Sequence, residues 1–308
     1  MNNTLATTDA VSASGATAKI RPFYWSVRRE LWENRSLYVA PLIVAAVIVF
    51  GFMCTTVGLP ERRRAVLLLN DPAQQRTAIE MPYDIAAMMI MFTAFIVGVF
   101  YCLDALYGER RDRSILFWKS LPVSDLTTVL SKITIPLVIL PVISFAIILV
   151  TQFAIFLITS VVLVLHGVSP ATTLAHTNLF QNSLILAYAL VAVSLWHAPT
   201  YSWMLFVSSW VKRAAFLWAI LPVIAIAFFE KIGFGTQYFY SMIRYRFASW
   251  ASEAFALRLG PKGTPVLDSL SQLTPGRYLT TPGLWLGLLF AVACLAVAVR
   301  FRRSRGPV

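Results

Sequence analysis

The sequence predicts an all-α integral membrane protein with six transmembrane helices, and three observations carry that expectation. Of 308 residues, 58% are hydrophobic and 13% charged, against roughly 25% charged in soluble domains. Six stretches approach the ~20 apolar residues that a hydrocarbon core requires, at residues 38–58, 85–107, 133–165, 181–210, 214–230 and 284–301. Lys and Arg are distributed unequally between the loops: sixteen of the 26 fall in residues 1–37, 108–132, 211–213 and 300–308, and ten in the alternate set. By the positive-inside rule both termini and the 108–132 loop are cytoplasmic, although Arg62, Arg63 and Arg64 pull the other way.

Taken in order, residues 1–19 are rich in Ala, Thr and Ser and lack the apolar core of a signal segment, so a disordered cytoplasmic tail is expected. Residues 20–36 place Ile20, Phe23, Tyr24, Val27, Leu31 and Trp32 near one helical face, with Arg28, Arg29 and Glu33 elsewhere. That pattern predicts an interfacial amphipathic helix, the alternative being an extension of the first span. The third span is long and contains Pro136 and Pro141, so a tilt, a kink or projection beyond the bilayer must absorb the excess. Residues 238–258 mix aromatics with arginines and predict an interfacial helix or a re-entrant pair on the outer side. A loop through Pro261, Pro265, Pro275 and Pro282 follows. No internal repeat is evident, and residues 20–308 read as one membrane domain.

The segment between the second and third spans is the most informative. Glu109, Arg110, Arg111, Asp112 and Arg113 crowd one turn, Ile115, Leu116, Phe117 and Trp118 follow, and Ser120-Leu121-Pro122 breaks the run. Ser124-Asp125 suits a helix N-cap that leads into the third span. A short, partly apolar helix held between two membrane helices can carry motion from a soluble partner into the bilayer. Its bland counterpart is a charged loop that only fixes topology.

Reactive chemistry is sparse. There is no phosphate-cradling GxxxxGK[ST] loop, no HExxH and no GxSxG. His166, His176 and His197 lack metal-ligand spacing, and Cys54, Cys102 and Cys294 lie far apart within spans as lipid-facing or packed thiols. No catalytic residue or metal ligand is assigned. The net charge of +12 falls mostly between apolar runs and argues for lipid headgroups rather than nucleic acid. Asp104 either pairs with Arg110 or Arg111, meets a partner chain, or reaches headgroup water. Thr151 and Gln152, and the patch His197, Pro199, Thr200, Tyr201 and Ser202, serve helix packing and kink repair, or line a translocation path through Gln152, His197 and Tyr201. Glu230-Lys231 is expected to form an interfacial charge pair or an outer seal.

At residues 108–132 the sequence resembles the permease subunits of ABC exporters of the second type, the ABC-2 or type V group. Glu109-Arg110 after the second span, the short helix leading to Leu121-Pro122-Val123-Ser124, and Lys132 opening the third span carry the resemblance. Arg113-Ser114-Ile115 stands where Gly-Thr-Leu is common in the family. The resemblance implies a non-catalytic permease of the bacterial-type inner membrane, working as a dimer or paired half-permeases with two copies of a separate ATP-binding subunit. That subunit, and not this chain, would bind ATP and Mg²⁺. It further implies that Glu109, Arg110, Ile115, Leu116, Phe117, Ser120, Leu121, Pro122 and Ser124 form the coupling helix that docks on the ATPase, with residues 20–36 as the elbow helix. The apolar spans favour a hydrophobic or amphipathic substrate such as a peptide, lipid or drug. Two other readings stand beside it: a membrane scaffold that recruits a soluble partner through residues 108–132, and an intramembrane enzyme built on His197 and Asp104.

Overall fold

A computed structural model describes residues 21–120, 123–169, 178–259, 265–266 and 269–304. The expected N-terminal tail, and Leu121 and Pro122 of the charged loop, lie outside the described residues. Helix α1 (Arg21–Glu33) precedes six helical stretches long and apolar enough to cross a membrane. Span one joins α2 (Ser36–Thr55), a 3₁₀ turn and α3 (Leu59–Leu67); span two joins α4 (Pro72–Ala105) and α5 (Tyr107–Arg111). After the short α6 (Ile115–Ser120), span three runs through α7 (Asp125–Thr134), a π turn (Ile135–Ile139) and α8 (Leu140–Leu165). Spans four and five are α9 (Leu179–Trp210) and α10 (Ala215–Phe234). A far-end segment follows, with α11 (Tyr238–Ala248), α12 (Trp250–Ala254), a two-residue antiparallel pairing of Arg258–Leu259 with Pro265–Val266, and α13 (Pro275–Thr280). Span six is α14 (Pro282–Ser304).

The helices outrun their apolar windows where polar sequence supplies caps and pairs. Span two begins at Pro72 rather than near residue 85: the Asp71 side chain accepts the Ala73 N–H at 2.9 Å, Pro72 sits at the first turn, and Arg76 pairs with Glu80 one turn on. Ser124 caps α7 as its sequence suggests, accepting the Thr127 N–H at 3.1 Å. Span three covers 41 residues, or ~62 Å at 1.5 Å per residue, about twice a hydrocarbon core. Its excess projects as α7, and the ladder is re-spaced by the π turn at Pro136, whose ring nitrogen donates no hydrogen bond.

Span four is the hub of the bundle, packing most extensively on span six and also on spans two, three and five, while span one packs on spans two and three. One apolar cluster gathers Leu37, Cys102, Val129, Ile135, Leu140, Leu205 and Ala298 at the end where α1 and α5–α7 meet, called here the charged end. Another joins Ile185, Trp196, Phe255, Tyr278 and Leu284 at the far end. Span five is peripheral, with Ala219 its one buried residue.

Three segments take a more definite form than their sequence suggests. The charged loop does not carry one helix from residue 109 to 120: Arg113 adopts a left-handed φ of 58° and separates α5 from α6, so Glu109 and Arg110 continue span two. Residues 238–258, expected as an interfacial helix or a re-entrant pair, hold the two helices α11 and α12, and the Arg246 guanidinium of α11 donates to the carbonyls of Trp196 and Gly283 at 3.1 and 2.8 Å. Glu230 does not pair with Lys231; its carboxylate accepts the Tyr238 and Phe239 N–H groups at 2.7 and 2.8 Å and the Thr236 hydroxyl at 3.0 Å, capping α11.

Candidate functional site

The charged end is built on an ion cluster drawn from four elements. Helix α1 turns Val27 and Leu31 onto the apolar cluster, and Glu30, on the same face, follows them into the interior with 1% exposure. There it meets Lys132 of α7, buried to 2% exposure, at 2.8 Å, and accepts the Tyr101 hydroxyl of α4 at 2.8 Å. Lys132 also lies 3.0 Å from Glu109 of α5, and Glu109 in turn takes Arg29 at 3.1 Å and Arg302 of α14 at 2.5 Å. Arg302 Nε lies 3.1 Å from Asp125, in an ion pair whose angle is not that of a hydrogen bond. Three cations, Arg29, Lys132 and Arg302, thus face the carboxylates Glu30, Glu109 and Asp125, with the more exposed Glu33 3.5 Å from Arg29 as a fourth.

Charges so buried persist only when paired, because each desolvation penalty is several kcal/mol. Burial pushes the Glu30 carboxyl up, but Lys132 and Arg29 outweigh it and hold the group below its usual range. Burial likewise pulls the Arg29 guanidinium down, and Glu30, Glu33 and Glu109 outweigh that and hold it above its usual value. Beside the cluster, Arg110 is clamped to the end of span four: it donates to the carbonyls of Ser208, at 3.0 Å, and Val211, while Ser208 Oγ accepts the N–H groups of Leu106 and Tyr107.

Over this platform lies α6. Ile115 is buried beneath it, and the Trp118 ring receives the Arg29 guanidinium at 3.7 Å, a cation–π contact of ~0.5–2 kcal/mol. Leu116 and Phe117, by contrast, are 58% and 60% exposed. The residues expected to act together therefore divide: Glu109 and Arg110 face inward, Ile115 anchors, and Leu116, Phe117, Ser120 and Ser124 remain at the surface. Asp104 lies 3.8 Å from Arg111, with both side chains more than half exposed.

Comparison with protein-family models, curated proteins and solved structures finds no match to this chain. Its chemistry is read from the residues alone.

Gln152, His197 and Tyr201 line a single cavity of ≈670 Å³ among spans two, three and four and the far-end segment, well separated in sequence from the ion cluster. His197 Nδ1 engages the Val193 carbonyl at 2.9 Å, and Phe95 packs edge-on against its ring. Asp104 does not line this cavity, so the pair on which an intramembrane enzyme would depend is not assembled there. Among the described residues no group of three or more His, Cys, Asp or Glu side chains could hold a metal ion.

Sequence reasoning singled out Glu109 and Lys132 but missed Glu30, Arg29 and Arg302 as their partners. Glu30 did leave a signal: an acid three residues after Val27 and one before Leu31 interrupts the apolar face of an amphipathic helix. Arg302 left none, being one of three arginines after the sixth apolar stretch.

Proposed function

We propose that this chain is the membrane-spanning permease subunit of an ABC-2-type exporter, driven by a separate ATP-binding subunit docked at residues 112–124 on the cytoplasmic face. The observation that carries the reading is the exposed Leu116–Phe117 surface set directly over a buried ion cluster. A solvated six-residue helix gains nothing from two exposed large apolar side chains unless a partner covers them. The cluster gives that contact a mechanical consequence. Closure of the ATPase would displace α6, and the displacement would pass through Trp118 to Arg29, and through the flanking Glu109 and Asp125 to spans two, three and six. The permease then moves between two packings whose populations ATP biases.

In this reading Glu109 and Arg110 support the coupling helix from below, and Leu116 and Phe117 make the contact. A second copy of the chain, or a paired half-permease, and two ATPase copies complete the transporter. ATP and Mg²⁺ belong to the ATPase. The multi-pass chain would sit in a bacterial-type inner membrane with both termini cytoplasmic and export a hydrophobic or amphipathic substrate.

The test is recovery of soluble partners from native membranes with wild-type chain and with Leu116→Glu or Phe117→Glu, at matched thermal stability. An ATPase recovered with wild type and lost with either variant is expected. A soluble partner without ATPase activity would favour the scaffold reading instead, and no ATPase with any of the three would overturn the proposal.

A further inference from the structure

The ≈670 Å³ cavity is of a size that takes a drug-sized ligand, and its walls are chemically one-sided. Two carboxyl groups, Glu80 and Asp84, stand one turn apart on α4, and no Lys or Arg lines the cavity. The charge of Glu80 is engaged: Arg76 lies 3.1 Å from it and the Asn182 amide at 3.5 Å. Asp84 has neither hydrogen bond nor ion pair among the described residues, Arg76 having been taken by its neighbour. The Asp84 side chain is exposed where it lines the cavity. Asp84 stands at the outer edge of the apolar stretch of span two, where a carboxylate seeks a counter-charge; Arg76 acts on it only through space while paired to Glu80, and the cavity wall supplies no Lys or Arg.

Toward the charged end from Asp84 the same wall continues with Met88, Met91, Phe92 and Phe95, and Phe247 of the far-end segment closes over Phe95 with ring centroids 6.3 Å apart. Thioether and aromatic surfaces accept apolar bodies of varied shape, and aromatic faces favour cations over anions. Thr77 to Phe95 spans ~27 Å of helix, so the cavity is long enough to separate a charged head from an apolar body.

We propose that this cavity binds a monocationic amphiphile, its positive charge at Asp84 and its apolar body along Met91, Phe92, Phe95 and Phe247. An anion is excluded by two carboxylates with one nearby cation already paired. Binding is inferred from the cavity alone; that the bound molecule is the transported substrate rests on the exporter reading.

The two claims separate by experiment. The purified chain is placed in nanodiscs without any ATPase and titrated with radiolabelled tetraphenylphosphonium and, in parallel, tetraphenylborate, which has the same shape and the opposite charge. Binding to protein-free discs is subtracted. Saturable 1:1 binding of the cation, no saturable binding of the anion, and affinity weakened tenfold or more by Asp84→Asn but unchanged by Asp104→Asn are expected. Equal or tighter binding of the anion, no saturable binding of the cation, or an unchanged affinity in a folded Asp84→Asn variant would overturn the proposal. The cation–anion comparison uses wild type alone and survives a variant that misfolds. A cation site in a chain that recruits no ATPase would keep this inference and remove the exporter reading; an ATPase partner without cation binding would do the reverse.

Discussion

Lys132 is the residue on which the charged end turns, because it touches both Glu30 and Glu109 and has almost no access to water. Removing one member of such a cluster leaves the others charged and desolvated, at ~3–5 kcal/mol, whereas removing a matched pair costs much less. Lys132→Met is therefore expected to lower the apparent melting temperature sharply in detergent, and Glu30→Gln/Lys132→Met to recover part of the loss; a double variant worse than the sum of the singles would contradict the pairing. Acid should act through the same atoms. With its folded value below the ordinary 4.5, Glu30 contributes stability that is fully present above that value and is lost as pH falls below it. Wild type should thus outmelt Glu30→Gln at pH 7, and the gap should narrow by pH 4. An unchanged gap would place the carboxylate outside the cluster. This chemistry was only partly written in the sequence. The apolar periodicity of residues 20–36 gave the helix and, through Val27 and Leu31, part of its packed side, while Phe23, Tyr24 and Trp32 of the expected face are exposed; Glu30 belongs on the packed side only because Lys132, a hundred residues away, is there to meet it.

At the scale of single elements, α6 separates two roles that one short stretch of sequence merges. The charge run at residues 109–113 resembles a solvated first turn, and only the left-handed backbone at Arg113 shows where span two ends and α6 begins. Such a break is hard to foresee at Arg, since a side chain in this region costs roughly 1–2 kcal/mol. The N-cap at Ser124 was legible because the side chain and backbone that define it lie within four residues. From the division within α6 follows a separation of phenotypes in the exporter reading. Phe117→Glu should abolish recovery of the ATPase, whereas Trp118→Ala should leave recovery intact and reduce the ATPase activity of the complex severalfold, because it cuts the contact to Arg29 rather than the docking face. Equal loss of recovery with both would mean that Trp118 belongs to the docking face itself.

Across the whole molecule, the number and order of spans were legible because hydrocarbon thickness sets a length that composition must match. Their true extents were not, since hydropathy marks where a helix is wet or dry and caps such as Asp71 decide where it stops. The orientation rests on charge counting and has a direct test. In a Cys54→Ser background, a membrane-impermeant maleimide applied to intact cells should label Ser271→Cys and spare Phe117→Cys until the membrane is opened. The reverse pattern would invert the topology. Assembly order also follows from one contact in the cluster: Arg302 meets Glu109 across 193 residues of chain. At ~5–20 residues per second of synthesis, Glu109 enters the membrane roughly 10–40 s before its last partner exists. During that interval the nascent chain carries an acid that still lacks one of its cations, a time-limited mark by which a membrane protease or insertase could tell an unfinished chain from a finished one.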